Sequence, residues 1–401
     1  MTIAPPDTDV ALGQHPMLIE WRPGIVYQTP LAKYNLVGDD AALTNSAFAY
    51  LFGKYGAGTV KRGPFTFTDK TTINVPYVAP MYFEGSGPDA TLNNWVGTGD
   101  WLRMYNNYVP SGGSSSILVW GGGCSNMSTF GLSNGTQNGI HTGDMKRARF
   151  TNLNLHHFSG GIAMWVDNTL FWTEDCIFDY HSQDTGVALQ LDVHGGTNAH
   201  DNCIYHVNMG QIGANNQNGV NFINGANLYH TVWYLHGGIR SSSTPTTSTL
   251  LNFFPSSGTS IAHSFFIIQM ESDGGAANKP TTMNLPAGCS INGGFMYADF
   301  MNSYNSATIG GQFQVSGHIN GDNTMANHVP ASPGITLGTP FTNPQNDAVF
   351  CLTGGTVTAV LVNGVTTGQT SGPFIVTAGS TIQINGSVLP TINVYSMIAQ
   401  G

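Results

Sequence analysis

The sequence carries very little charge. Only 8% of its 401 residues are Asp, Glu, Lys or Arg, against a usual share of about 25%. Its 12 cations are outnumbered by 22 acids, for a formal net charge of −10. Beyond Lys279 there is no Lys or Arg, and the last 122 residues hold only Asp299, Asp322 and Asp347 as formal charges. Phosphate backbones are gripped by clustered cations. The one dense cluster, Lys146, Arg147 and Arg149, is too small for that, so nucleic acid is excluded as a partner. Long apolar runs are also missing: nothing approaches the roughly 20 residues of a membrane span. The start, Met1-Thr-Ile-Ala-Pro-Pro-Asp7, has neither a basic beginning nor an apolar stretch, so no signal peptide is expected. Cysteine is scarce, five residues with no CxxC pair, which points to small buried side chains rather than a disulfide frame or a metal knot.

What is abundant is glycine, at 51 positions, and an aromatic share of 11%. That aromatic content argues against disorder. So much Gly, with Asn, Ser and Thr, erodes helix propensity. An all-β protein with a neutral, polar surface remains, suited to contact with neutral glycan or with other copies of itself.

Along the chain, residues 1–38 form an irregular, proline-punctuated arm. One helix is predicted after it, capped by Asp39 and Asp40, with Leu43, Ala47, Tyr50 and Leu51 at helical spacing and an end in Gly53–Gly58. Short strands follow at Thr59–Arg62, Phe65–Thr68, Thr72–Val75 and Pro80–Phe83. From about residue 115 a loose repeat appears. Taking Phe150, Cys176, Cys203, Trp233, Phe265 and Phe295 as equivalents, the steps are 26, 27, 30, 32 and 30 residues. A second strand tracks the first in Gly161-Ile-Ala-Met164, Gly186-Val-Ala-Leu-Gln-Leu191 and Gly219-Val-Asn-Phe-Ile223. Such periods indicate a solenoid or propeller. Uneven steps without a blade signature favour a right-handed parallel β-helix over residues 39–339, its rungs about 4.8 Å apart. Residues 340–401 change character: five short strands joined by Asn363-Gly364, Ala378-Gly379 and Asn385-Gly386 predict a small antiparallel, sandwich-like module.

The segment Gly38-Asp-Asp-Ala-Ala-Leu43 … Phe48 … Gly58-Thr-Val60 … Gly63-Pro-Phe65 resembles the entry of pectate-lyase-superfamily β-helices, and Phe83-Glu-Gly-Ser-Gly-Pro88 is similar to that family's early turn. The resemblance covers about 50 residues and implies a helix that caps the first rung of the solenoid. The low charge, the bare arm and the terminal module together resemble minor tail proteins and tail spikes of phages infecting actinobacteria. That resemblance implies a virion component: a homotrimer at the tail tip, beside other tail-tip proteins, adhering to a host cell-envelope polysaccharide, with no cofactor.

An enzyme on the same fold is the alternative, a depolymerase of the glycoside hydrolase or lyase kind. Glycoside hydrolysis needs two carboxyls across the scissile bond, and the acids of the central rungs are Glu174, Asp175, Asp179, Asp192 and Asp201. With Cys176 and Phe178 inward, Asp175 and Asp179 share the outer face. The simpler account is that these are solvated rung and turn residues. The family's hydrolase signatures are missing, and a lyase would need more Arg or Lys than Arg240 supplies, so catalysis is disfavoured without being excluded. For glycan binding the candidates are Trp165, Trp172, Tyr180, Trp233 and Arg240, because sugar rings stack on flat aromatic faces; filling of the core by the same rings is the competing explanation. Ten of 13 histidines fall between His141 and His263, yet no compact ligand spacing is present, so no metal is expected.

Overall fold

The structure is a computed structural model that describes residues 17–76, 79–105, 119–133, 137–169, 172–193, 199–212, 218–225, 227–239, 249–253, 260–272, 281–284, 290–301, 308–319, 334–343 and 348–396. The chain divides into two compact units, Met1–Gly321 and Asp322–Gly401.

The first unit is a parallel β-helix. One full coil consists of a short strand, Met145–Lys146, a long strand, Arg149–His156, and a back strand, Ile162–Asn168. The next repeats the order with Thr173–Glu174, Ile177–Gln183 and Val187–Val193, and the one after with Ala199–Asp201, Ile204–Ile212 and Asn218–Ile223. Short and long strands stack in parallel register into a 19-stranded sheet, and the back strands form an eight-stranded sheet, counted among the described residues. Further along, Ser260–Ser272 spans the short and long positions in a single strand.

A column of left-handed residues bends the chain between short and long strands: Arg147, Asp175, Asn202, His230 and His263, with φ of 58°, 56°, 51°, 52° and 51°. This conformation is unfavourable for residues other than glycine. It persists because four of these corner amides donate to the coil stacked on them: Arg147 to Glu174 O at 2.9 Å, and Asp175 to Asp201 O, Asn202 to Tyr229 O and His230 to Ala262 O at 3.0 Å.

Inside the coil the long strands stack one side chain per rung. Cys124, Phe150, Phe178, Tyr205, Trp233 and Phe266 are direct register partners. Their rings lie nearly parallel: Phe150–Phe178 at 5.4 Å, Phe178–Tyr205 at 5.0 Å, Tyr205–Trp233 at 4.1 Å and Trp233–Phe266 at 5.6 Å between centroids. Each such pair adds about 0.5–1.5 kcal/mol beyond area burial. The expected repeat was therefore right in kind and wrong in register. Cys176 and Cys203 sit two residues earlier, in a column of small side chains, and Phe265 points outward at 49% exposure. Close stacking also demands glycine: at Gly123, with φ 135°, a Cβ would lie 1.8 Å from Arg149 O in the adjacent coil.

The helix Asp40–Tyr55 forms as expected, with Asp39 Oδ1 accepting from the Ala41 amide at 3.1 Å and Gly56 ending it at φ 73°. Its buried face, including Ala41, Ala47, Phe48 and Leu51, packs on the first coil, where Phe48 meets Phe83 edge-on at 5.8 Å. Covering the coil end this way hides backbone groups that would otherwise invite pairing by another chain. Under the helix Arg62 and Asp69, both fully buried, form a bidentate pair at 2.8 Å, and Trp101 Nε1 donates to the same carboxylate at 2.7 Å. The coil starts before residue 39. Within the expected arm, Leu18–Arg22 and Ile25–Gln28 pair antiparallel, and Ile25–Gln28 continues in parallel onto Gly58–Arg62.

The second unit contains all five predicted strands, found as Ala348–Thr353, Thr356–Val362, Gly372–Val376, Thr381–Val388 and Thr391–Ser396. They pair antiparallel in two small sheets around Phe350, Val360, Phe374, Val376, Ile382 and Ile384. Asn363 at φ 51° and Gly364 at φ 76° make the tight turn that this dipeptide predicts.

Candidate functional site

On the outer face of the 19-stranded sheet, four of the five candidate acids meet a base on a neighbouring coil. Lys146 Nζ lies 2.5 Å from Glu174 Oε1, and Arg147 Nε 3.5 Å from Asp175 Oδ2. His206 Nδ1 lies 2.9 Å from Asp179 Oδ1, and His230 Nδ1 3.0 Å from Asp201 Oδ1. Asp175 and Asp179 do share the outer face, but Asp175 engages the preceding coil and Asp179 the following one. They form no pair across a common substrate.

One exposed and one half-buried ring lie beside these acids. In the short-strand stack, Glu174, Asp201 and Tyr229 are register partners. Trp172, 38% exposed, leans against Tyr229 at 6.0 Å and 45°. A sugar face laid on this pair would find carboxylate acceptors within the same column. Two other aromatic candidates are corrected by burial. Trp233 is fully buried and Tyr180 is 2% exposed. Both point into the coil, where Trp233 joins the ring stack and the Tyr180 hydroxyl donates to Ala188 O at 2.8 Å. Neither can touch a glycan. Arg240 lies outside the described residues.

The outer face of the back sheet holds a different arrangement. Arg103, His141, Trp165, Gln190 and Asn221 follow one another in register. His141 and Trp165 stack at 4.2 Å and 3°, so one face of Trp165 is covered. The His141 ring bridges two acids, with Nδ1 3.1 Å from Asp100 Oδ2 and Nε2 3.5 Å from Asp167 Oδ2. Burial pulls the His141 pKa down, but the hydrogen bonds to Asp100 and Asp167 outweigh it and the value is raised. At Asp100 burial pushes up, and hydrogen bonds from His141, Arg103 and Asn138 overturn it, bringing the pKa to about 2. Asp167 stands in direct register with Asp192 on the next coil, and Asp192, 1% exposed, accepts from Asn224 Nδ2 at 2.7 Å. Two carboxyls thus come side by side here, and among the five candidate acids Asp192 is the member of that pair.

Asp100, His141 and Asp167 were not singled out from the sequence. The signal for Asp167 was present: it follows Gly161 by six residues as Asp192 follows Gly186, in the two segments already aligned as a repeat. The coil holding Asp100 was hidden by the long insertion between its back strand, Gly99–Tyr105, and the next strand, Val119–Trp120.

Histidines gather on the long-strand face. Burial, then the neighbouring His181 and His157, bring His156 to a pKa of about 4. Burial and His236 lower His181, and burial and His206 lower His236. His200 points inward, fully buried between Tyr205 Oη at 3.0 Å and Asn168 Nδ2 at 3.4 Å, and desolvation takes it to about 3. Among the described residues no group of three His, Cys, Asp or Glu side chains converges as metal ligands.

No family model matches the sequence, and neither does any curated protein. Solved structures with a similar backbone include Geobacillus virus E2 ORF18, at 14% identity and TM-score 0.37 over 91% of this chain and 77% of that one. The A-module of Azotobacter vinelandii mannuronan C-5 epimerase AlgE4 matches at 13% and 0.30 over 71% and 95%. The tailspike protein of Acinetobacter phage vB_ApiP_P1 matches at 9% and 0.31 over 90% and 84%. At such identities the likeness concerns the backbone alone, and the parallel β-helix rests on the strand pairing itself.

Proposed function

We propose that the chain is a tail-spike or tail-fibre component of a phage virion that adheres to a host cell-surface polysaccharide as a homotrimer. The observation that carries this reading is the Trp172–Tyr229 pair, exposed at Trp172 and half-buried at Tyr229, in line with Asp201 and Glu174. Ring faces take the apolar side of a sugar, and the column supplies acceptors for its hydroxyls. The β-helix gives that column a rigid base, since each residue in it is fixed by the coils on both sides. A shaft so poor in Lys and Arg packs against copies of itself with little charge to desolvate.

The test is co-sedimentation of the purified protein with cell-envelope polysaccharide from candidate hosts, with the size of the released sugar followed in parallel. Binding that falls about tenfold in Trp172→Ala, with the glycan left intact, supports the adhesin. Unchanged binding in that variant removes this platform, and a monomeric mass in solution removes the trimer. A second reading, depolymerase, is favoured by one observation, the in-register carboxyls Asp167 and Asp192. Asp167, the more exposed of the two, would meet the substrate, and Asp192, 1% exposed, would act behind it on its protonation. Shortened oligosaccharides from the native protein, lost in Asp192→Asn, select this reading.

A further inference from the structure

The outer face of the long strands places two imidazoles nitrogen to nitrogen. His206 and His236 occupy adjacent coils, and their Nε2 atoms are 2.9 Å apart. The other nitrogen of His206 faces Asp179 Oδ1 at 2.9 Å. A carboxylate at that distance accepts a hydrogen bond from the Nδ1–H, which keeps the proton on Nδ1 and leaves the lone pair on Nε2. His206 Nε2 is therefore a ligand aimed at its neighbour. His236 stands in register with Gln269 on the following coil, and both line a shallow depression of about 220 Å³ together with His206, Tyr234, Leu235 and Ile267.

We propose that His206 and His236 chelate a divalent transition metal of the zinc, nickel or copper class through their Nε2 atoms. Imidazole nitrogens bind such ions at about 2.0–2.1 Å, so two ligands at a tetrahedral angle stand about 3.4 Å apart. The pair has only to open by a few tenths of an ångström. Both rings lie on the surface side of their strands, and the His206 side chain is 44% exposed, which permits that movement. Asp179 has the place of the outer carboxylate that fixes tautomer and orientation in histidine–metal sites. This gives Asp179 a role outside any pair of carboxyls. Gln269 and water complete the shell, and the depression leaves room for a glycan oxygen as a further ligand. With two protein ligands the site is open and exchangeable, unlike a closed structural zinc site. It does not depend on the proposed function, because Trp172, Tyr229, Asp167 and Asp192 take no part in it.

The test is titration of the full-length protein with zinc chloride by calorimetry, in a buffer free of chelators, on the native chain and on His206→Ala, His236→Ala, Asp179→Asn and the control His230→Gln. The expected result is one zinc ion per chain, bound at micromolar strength. Binding is abolished in each of the first two variants, weakened about tenfold in Asp179→Asn, and retained in His230→Gln. Circular dichroism of each variant checks that the β-helix is intact. Zinc binding unchanged in folded His206→Ala or His236→Ala overturns the proposal, as does the absence of binding by the native protein. Loss in His230→Gln equal to that in His206→Ala overturns it too, since the ion would then be held by histidines in general.

Discussion

The two outer faces of the coil treat their carboxylates in opposite ways. On the short and long strands, Glu174, Asp175, Asp179 and Asp201 each meet a base on an adjacent rung. On the back sheet, Asp167 lies beside Asp192 and shares one histidine with Asp100, which also meets a base, Arg103 of its own strand. Stacking at a fixed rung spacing makes every outward residue the neighbour of its equivalents. The sequence of each column therefore decides whether charges cancel or accumulate. Cancelled columns hold rungs together, whereas accumulated acids with a shared imidazole are where reactivity concentrates.

Removing charge from one face and then the other separates these roles, and the largest effect is expected on the back sheet. If the native protein shortens glycan, Asp167→Asn and Asp192→Asn each lower the rate of oligosaccharide release by about a hundredfold or more. Asp179→Asn and Asp201→Asn leave it within about threefold. Reversal of that order, measured by chromatography of the products, would move the chemistry to the long-strand face.

Acidity offers the next contrast, because the two groups of histidines are shifted in opposite senses. His141 is raised, so its stabilisation is complete below the unfolded value of about 6.5 and is lost as pH rises through its folded pKa. His200 at about 3 and His156 at about 4 refuse protons that the unfolded chain accepts. Their effect is a loss of stability as pH falls below about 6.5 toward those values. Asp100, at about 2, holds its contribution until pH drops below about 3.9. The melting temperature should fall between about pH 7 and pH 5. The fall should shrink in His200→Gln, which keeps an acceptor for Tyr205, and steepen in His141→Gln. Calorimetric scans in which both variants follow the native profile would rule out this division.

How much of this was legible follows from what kind of pattern each feature leaves. The capping helix was, because Asp39, the apolar spacing and Gly56 are local signals. The terminal strands were, because Asn363-Gly364 and Ala378-Gly379 mark turns without reference to the rest of the fold; Asn385-Gly386, expected as a third turn, lies instead inside the strand Thr381–Val388, paired with Ala359 and Val357. The coil appeared as a repeat, but its register slipped where Asp175 and Asn202 take the left-handed conformation. That corner interrupts the two-residue alternation on which strand facing is read, so small Cys176 and Cys203 were set against large Phe150 and Trp233. The site was less visible, since which acid meets which base depends on loop lengths between rungs. Tyr180 and Trp233 show the same limit: an aromatic ring on a rung is equally suited to a sugar outside or to a ring stack inside, and only alternation from the corner decides.

The smallest effect is expected where charges cancel most closely. Lys146 and Glu174 are 15% and 27% exposed in their side chains and 2.5 Å apart. Glu174→Gln keeps the shape and the hydrogen-bonding oxygen while removing one charge. An ion pair so placed is worth about 0.2–1 kcal/mol, because what attraction supplies is largely offset by ordering two long side chains and by solvent. Denaturant unfolding should therefore show a midpoint shift of that size, and added salt should erase most of it. Lys146 also lies over the Trp120 ring at 4.9 Å, so Lys146→Met should lose this contact as well and fall further than Glu174→Gln. Equal losses in the two variants would mean that the ion pair alone anchors Lys146, and that its contact with Trp120, whose ring Arg147 also covers at 4.7 Å, adds nothing.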